Sequence, residues 1–320
     1  MEFAKLEISD VEKIDFSDRV IGEIIGEEEG PTIIAMAAIH GNEPSGIGAV
    51  CRVLKKIEKS EAHFKGRFIG LIGNMEALEK RQRYIDEDMN RIWSTSILDK
   101  IRRTPTPDLQ TTERKEIKKL LEIIDPITSN DEANHPLIFA DLHTFSSESG
   151  IFALTSRREE NIELMVPLGV PLVFGIEHAL QGTVSKYIQD SGEIGFSFEA
   201  GQHFSSQSEN NASAGLLCLL VAAGCIQASK IEDFTHYYDY LKNQTESLPR
   251  KVEYVYKHII EPGDDFKMRL GFKNFDAVKK GDWLATDQHG KVSAQQDGYI
   301  LMPLYQQQGE DGFFIVQDCN

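Results

Sequence analysis

The apolar residues of this chain fall into short blocks separated by polar turns. Thr32-Ile33-Ile34-Ala35-Met36-Ala37-Ala38-Ile39 is a continuous run that follows the acidic segment Glu27-Glu28-Glu29-Gly30-Pro31. A run of that length between turn residues predicts a strand buried on both faces, as in parallel sheets. Residues 17–30 read as an edge strand and turn. After Pro44 the period changes. Ile47, Val50, Val53, Leu54 and Ile57 fall on one helical face, with Pro44 expected in the first turn.

The same alternation continues. Residues 67–73 read as a strand, 74–80 as a helix or turn, and 111–124 as an amphipathic helix. Residues 135–143 form a third buried strand. Short strands at 150–154 and 171–175 flank a helix, and 194–201 is a further strand. The block 210–227 is apolar on all sides and reads as a buried helix holding Cys218 and Cys225. Strands alternating with helices predict an α/β fold: a mostly parallel or mixed central sheet with helices on both faces.

From about residue 250 the pattern shifts to short strands broken by Pro262-Gly263-Asp264, Lys280-Gly281-Asp282 and Asp297-Gly298. This predicts a small C-terminal all-β module. The expected organisation is therefore a catalytic domain over 1–245 and a β module over 246–320, with residues 230–249 a linker or last helix.

Composition narrows the function. The 320 residues are 41% hydrophobic and 27% charged, as in ordinary globular proteins. A formal net charge of -17 argues against nucleic acid and anionic membrane surfaces as partners. No apolar signal segment is read at Met1–Lys5, and the longest apolar run is too short for a membrane span. Four cysteines without CxxC spacing suggest reduced thiols and a cytoplasmic location.

Candidate chemistry sits where the buried strands stop. His40 and Glu43 follow the first, separated by three residues. His143 closes the 135–143 strand, and Glu199 lies near the end of 194–201. Active sites of open α/β sheets form at the carboxyl ends of strands. Alone, the His40–Glu43 pair reads better as a turn imidazole beside a helix-start carboxylate. With His143 added it becomes a His₂Glu set of the catalytic zinc type, with one coordination position left for water. Glu199 stands in an otherwise apolar strand, where desolvation would raise its pKa. That suits a general base and acid. Asp141 projects to the same side as His143, in position to orient an imidazole or to pack against the first strand. The segment 81–93 concentrates Arg81, Arg83, Arg91 and Asn90 in an otherwise acidic chain. Arg83 suits stabilisation of an oxyanion, or an ion pair with Asp86 or Asp88. Asn90 and Arg91 suit a carboxylate. His203, four residues beyond Glu199, is left unassigned.

Four segments then occur together and in order: His40-Gly41-Asn42-Glu43, Arg83 to Arg91, Asp141-Leu142-His143 and Glu199-Ala200-Gly201. On these the chain resembles the succinylglutamate desuccinylase/aspartoacylase family, within the zinc carboxypeptidase-like fold, over residues ~33–201. The resemblance implies one Zn²⁺ per chain on His40, Glu43 and His143. It implies Glu199 as the base that activates water, Arg83 on the scissile carbonyl, and Asn90 with Arg91 on a substrate carboxylate. The implied substrate is a small anionic N-acyl amino acid. The alternatives are a zinc carboxypeptidase acting on peptide C-termini and a non-catalytic metal-binding protein. A homo-oligomer stays open. The family's second substrate-binding Arg is absent from residues 185–192, where Lys186 is the nearest cation. Tyr299 and Tyr305 are the candidates for its late Tyr.

Overall fold

A computed structural model describes residues 18–60, 62–128 and 135–319. The expectation at Met1–Lys5 lies outside them. The strands are β1 (Val20–Ile25), β2 (Glu28–Ala37), β3 (Lys65–Ile72), β4 (Leu137–Phe145), β5 (Phe152–Leu154), β6 (Leu172–Phe174) and β7 (Ile194–Gln202). In the tail they are β8 (Lys251–Ile259), β9 (Lys267–Met268), β10 (Ala277–Val278), β11 (Trp283–Asp287), β12 (Gly290–Ser293), β13 (Gly298–Leu301) and β14 (Asp311–Asp318). The helices are α1 (Ser45–Ser60), α2 (Met75–Glu79), α3 (Thr95–Arg103), α4 (Thr112–Thr128), α5 (Glu159–Met165), α6 (Ile176–Ala179), α7 (Val184–Asp190), α8 (Ser206–Ala222) and α9 (Phe234–Thr245).

Among the described residues, eleven strands form one mixed sheet in the order β1-β3-β2-β4-β7-β5-β6-β8-β14-β13-β10. The contacts β3–β2–β4–β7 are parallel. Side-chain alternation along β2 explains the two helical layers. Ile33, Ala35 and Ala37 pack against α1 and α8, while Ile34 and Met36 pack against α3, α4 and α7. A strand covered on both faces needs apolar residues at every position, and 33–39 supply them.

Several boundaries move. Strand β2 begins at Glu28, inside the expected turn, because Glu28 still pairs with Lys65 ahead of a register shift before Thr32. Pro44 stands just before α1 rather than in its first turn. Strand β4 runs two residues past His143, and Cys225 lies beyond the end of α8 although it is buried. The stretch 230–249 contains α9. Helices α3 and α7 were not anticipated.

The tail is joined to the main sheet. Strand β8 pairs in parallel with β6, and β14, β13 and β10 extend the same sheet. Among the described residues, β12-β11-β9 form a second, three-stranded sheet. No described helix is long and apolar enough to cross a membrane.

Candidate active site

The parallel core brings four chain segments to one edge. After β2 the chain turns through Ala38, whose φ of 53° is left-handed, and presents His40. Glu43 follows just ahead of α1. His143 on β4 and Glu199 on β7 are register partners, so both stand side by side on the same face of adjacent strands. They lie inside their strands rather than at the last residue, because β4 and β7 each continue past the site.

The segment carrying Arg83 to Arg91 has little regular structure and is held by one buried carboxylate. Glu113 accepts hydrogen bonds from the backbone N–H groups of Ile85 (2.7 Å), Asp86 (3.1 Å) and Glu87 (3.3 Å), and from Asn74 Nδ2 (3.2 Å). A short 3₁₀ turn, Met89–Arg91, then opens with Asp88 capping the Asn90 N–H at 2.9 Å.

His40 Nδ1 lies 2.9 Å from Glu43 Oε1, and His143 Nδ1 lies 3.1 Å from Glu43 Oε2. The far nitrogens face carboxylates as well: His40 Nε2 meets Asp88 at 3.1 Å, and His143 Nε2 meets Asp141 at 2.7 Å. All three candidate donor groups are buried, and their ligand atoms lie within 4.8 Å of one another. With hydrogen on Nε2 toward these outer carboxylates, each imidazole would offer its Nδ1 lone pair to a cation held between them. Two inward imidazole nitrogens and one carboxylate fit a four-coordinate divalent cation with one position open.

The charges follow from burial and neighbours. Burial pushes the Glu43 carboxyl up, but His40 and His143 outweigh it and hold it well below the ordinary range. Burial opposes charge on His143, yet Asp141 and Glu43 raise its pKa well above that of free imidazole. Asp88 is likewise buried but held well down by Arg83 and His40. Glu199 is the exception. Burial drives it up to about 8, Glu43 and Asp141 add to the effect, and His143 and Arg83 oppose it. Its Oε2 is buried without a hydrogen-bond partner.

His40, Glu43, His143 and Glu199 line a cleft of roughly 100 Å³ that also takes in Arg83, Asn90 and Arg91, so the seven residues given roles in the sequence analysis meet there. Arg83 pairs with Asp88 at 3.0 Å, and its Nη1 lies 3.6 Å from Glu43. Asn90 is spoken for: its Nδ2 donates to Asp141 (3.1 Å) and its Oδ1 accepts from the Val184 N–H (2.9 Å). Arg91 pairs with Asp311 at 2.6 Å.

Other participants were not anticipated. Asp88, read only as a partner for Arg83, also backs His40. The segment 302–310, between β13 and β14, roofs the cleft. There Gln306 Oε1 accepts from Asn42 Nδ2 (2.9 Å) and lies 3.1 Å from His203 Nε2, while Gln308 Oε1 accepts from the Arg83 N–H (3.1 Å). No local pattern pointed to these glutamines, since their partners are over 100 residues away. Neither tyrosine candidate lines the cleft: Tyr299 bonds Asp318, and the Tyr305 hydroxyl bonds backbone at Arg269 and Phe272. Lys186 pairs with Asp190 on α7, outside the cleft.

A doubly covered mixed sheet with a His-Glu-His set at one edge defines an α/β protein with a candidate metal site, and comparison with known proteins makes the class specific. Residues 29–222 match the model of the succinylglutamate desuccinylase/aspartoacylase catalytic domain, and the chain belongs to that family of hydrolases. It is 25% identical over 282 residues to a succinylglutamate desuccinylase of Shewanella sp. (strain MR-4), covering 85% of this chain and 77% of that one. The fold is similar to that of succinylglutamate desuccinylase from Chromobacterium violaceum, with TM-score 0.63, 18% identity and 95% of each chain covered. It is also similar to the ectoine utilization protein of Ruegeria pomeroyi in its product-bound structure. There the TM-score is 0.63 and identity 19%, over 92% of this chain and 87% of that one.

Proposed function

We propose that this protein is a zinc-dependent hydrolase that cleaves the amide bond of small N-acyl amino acids. The observation that carries the reading is the pairing of His143 with Glu199 across β4 and β7. It sets a buried carboxyl of raised proton affinity, its Oε2 without a hydrogen-bond partner, beside the three donors His40, Glu43 and His143. Zinc held by His40, Glu43 and His143 would lower the pKa of a water and polarise the scissile carbonyl.

The chain's own groups supply the rest. Glu199 takes a proton from the attacking water as the C–O bond forms, and returns it to the amine nitrogen as the C–N bond breaks. Its raised proton affinity suits it to both halves of that transfer. The Arg83 guanidinium, fixed by Asp88 beside Glu43, stabilises the charge that develops on the carbonyl oxygen. Arg91 holds the substrate carboxylate, and Asn90 keeps Asp141 and the adjoining wall in place. The roof formed by 302–310 favours small substrates over peptide C-termini.

The test is a panel of N-acetyl, N-succinyl and longer N-acyl amino acids with zinc-loaded protein. Turnover should appear with at least one class and fall by at least ~10²-fold in Glu199→Gln, the typical contribution of a general base. Stoichiometric zinc with no turnover across the panel would favour a binding role instead.

A further inference from the structure

The carboxamide of Gln306 ties the 302–310 roof to the neighbours of Glu43. Its Oε1 faces two donors at once, Asn42 Nδ2 at 2.9 Å and His203 Nε2 at 3.1 Å. Burial holds the proton affinity of His203 below that of free imidazole, and the neutral ring carries one N–H. With that hydrogen on Nε2, Nδ1 accepts from the Thr144 hydroxyl at 2.7 Å. Thr144 and Asn42 both adjoin Glu43: the Thr144 N–H donates to Glu43 Oε2 at 2.8 Å, and Asn42 precedes Glu43 in the chain.

These contacts set which way the carboxamide turns. The reverse orientation needs Asn42 turned over as well, which would put its NH₂ in the buried position now held by an unpartnered Oδ1. A buried oxygen without a partner is tolerated more readily than a buried NH₂ without one. Gln306 Nε2 is then the disengaged end: among the described residues it meets no acceptor, and Gln306 lines the cleft together with Glu199 and Arg91.

Gln306 and Arg91 reach that cleft from different layers. Asn42 and His203 stand just ahead of α1 and α8, which cover one face of the sheet. Arg91 follows Asn90, which holds the Val184 N–H of α7 on the other face. A substrate with its amino-acid carboxylate at Arg91 and its scissile amide at the His-Glu-His set then carries its acyl group toward Gln306. We propose that Gln306 is a substrate-binding residue whose Nε2 donates to an oxygen on the acyl group beyond the scissile carbonyl. The site thereby favours acyl groups with such an acceptor over plain alkanoyl groups of the same size. The inference rests on the N-acyl amino acid reading above and adds a determinant of acyl specificity.

Uncharged isosteres that differ by one acceptor test it. N-levulinylalanine and N-isocaproylalanine exchange a ketone for an isopropyl carbon, as do N-acetoacetylalanine and N-isovalerylalanine one carbon shorter. Binding to zinc-loaded Glu199→Gln protein, which cannot consume the ligand, is followed by calorimetry. At one chain length or both, the affinity ratio of ketone to isostere should fall about three- to tenfold on adding Gln306→Glu, the scale of one neutral hydrogen bond. That variant keeps an oxygen for Asn42 and His203 and loses the donor, so a role confined to holding the roof would leave the ratio unmoved. Gln306→Met removes the donor without adding charge and should lower the ratio alike. An unchanged ratio at both chain lengths, or binding of none of the four ligands, overturns the proposal. So does a preference dependent on Gln306 that appears only when the exchange is moved to the amino-acid side chain of an N-acetyl ligand. The hydrolase reading fails separately, if wild-type protein binds these ligands with the expected preference yet cleaves none of them.

Discussion

Replacing Glu199 with glutamine should stabilise the metal-free protein, by an amount that depends on pH in a set way. The buried carboxyl holds its proton up to about pH 8, against an ordinary value of 4.5. Below about pH 4.5 it is protonated in both folded and unfolded chains, and glutamate and glutamine are then nearly equivalent. Between 4.5 and 8 the unfolded chain gives up the proton while the folded one keeps it, so wild-type stability falls as pH rises. Above 8 the folded protein must bury a charge. At about 1.36 kcal/mol per tenfold change in proton affinity, the full loss is roughly 5 kcal/mol, and at pH 7 about 3 kcal/mol. Glutamine carries no charge at any of these pH values and fills the same volume, so the variant escapes the loss. Urea unfolding of chelator-treated wild type and variant, at half-unit steps from pH 4.5 to 9, reads the difference directly. It should be small at the acid end, grow through neutrality and level off above pH 8. A difference that is flat with pH, or a variant less stable than wild type at pH 8, would refute a desolvated Glu199.

Two other outcomes follow from the supports of the site. Asp88→Asn removes the carboxylate behind His40 Nε2 and should weaken zinc binding by roughly 10- to 100-fold, as loss of such partners does. Competition against a chromogenic chelator measures it, and unchanged affinity would mean that His40 is oriented by other contacts. Glu113→Ala strips the acceptor from three backbone N–H groups in the 85–87 segment. At ~1 kcal/mol for each part-buried hydrogen bond lost it should cost about 3 kcal/mol. Zinc affinity should fall with it, since Asp88 lies on that segment, and an unaltered urea midpoint would refute the role given to Glu113.

The legible part of this protein was the part written in local chemistry. The run 32–39 had to be a doubly buried strand because it offers no polar face, and its alternate residues do supply both helical layers. His40, Glu43, His143 and Glu199 were readable because each interrupts or closes an apolar run with a group that burial penalises. Residues whose meaning is set by distant partners were not readable. Asp311 looks like any turn aspartate in sequence, yet it sits between Arg91 and Lys257 because β14 is drawn against β8. Gln306 and Gln308 carry no charge or period to mark them; Gln306 lines the cleft and Gln308 meets the Arg83 N–H because the 302–310 segment folds over the site. Helix α3 was hidden because only Leu98 and Ile101 of its nine residues are buried, too few for a periodic signal.

The construction of the site makes its parts interdependent. Asp88 caps the turn that carries Asn90, backs His40 and fixes Arg83. Asn90 bonds Asp141, which backs His143, and accepts the Val184 N–H at the start of α7. The candidate ligands His40 and His143, Arg83 and the cleft wall at α7 thus hang on one connected network. In such a network the loss of any member leaves another buried polar group without its partner. Single substitutions there should each cost nearly as much as their combinations.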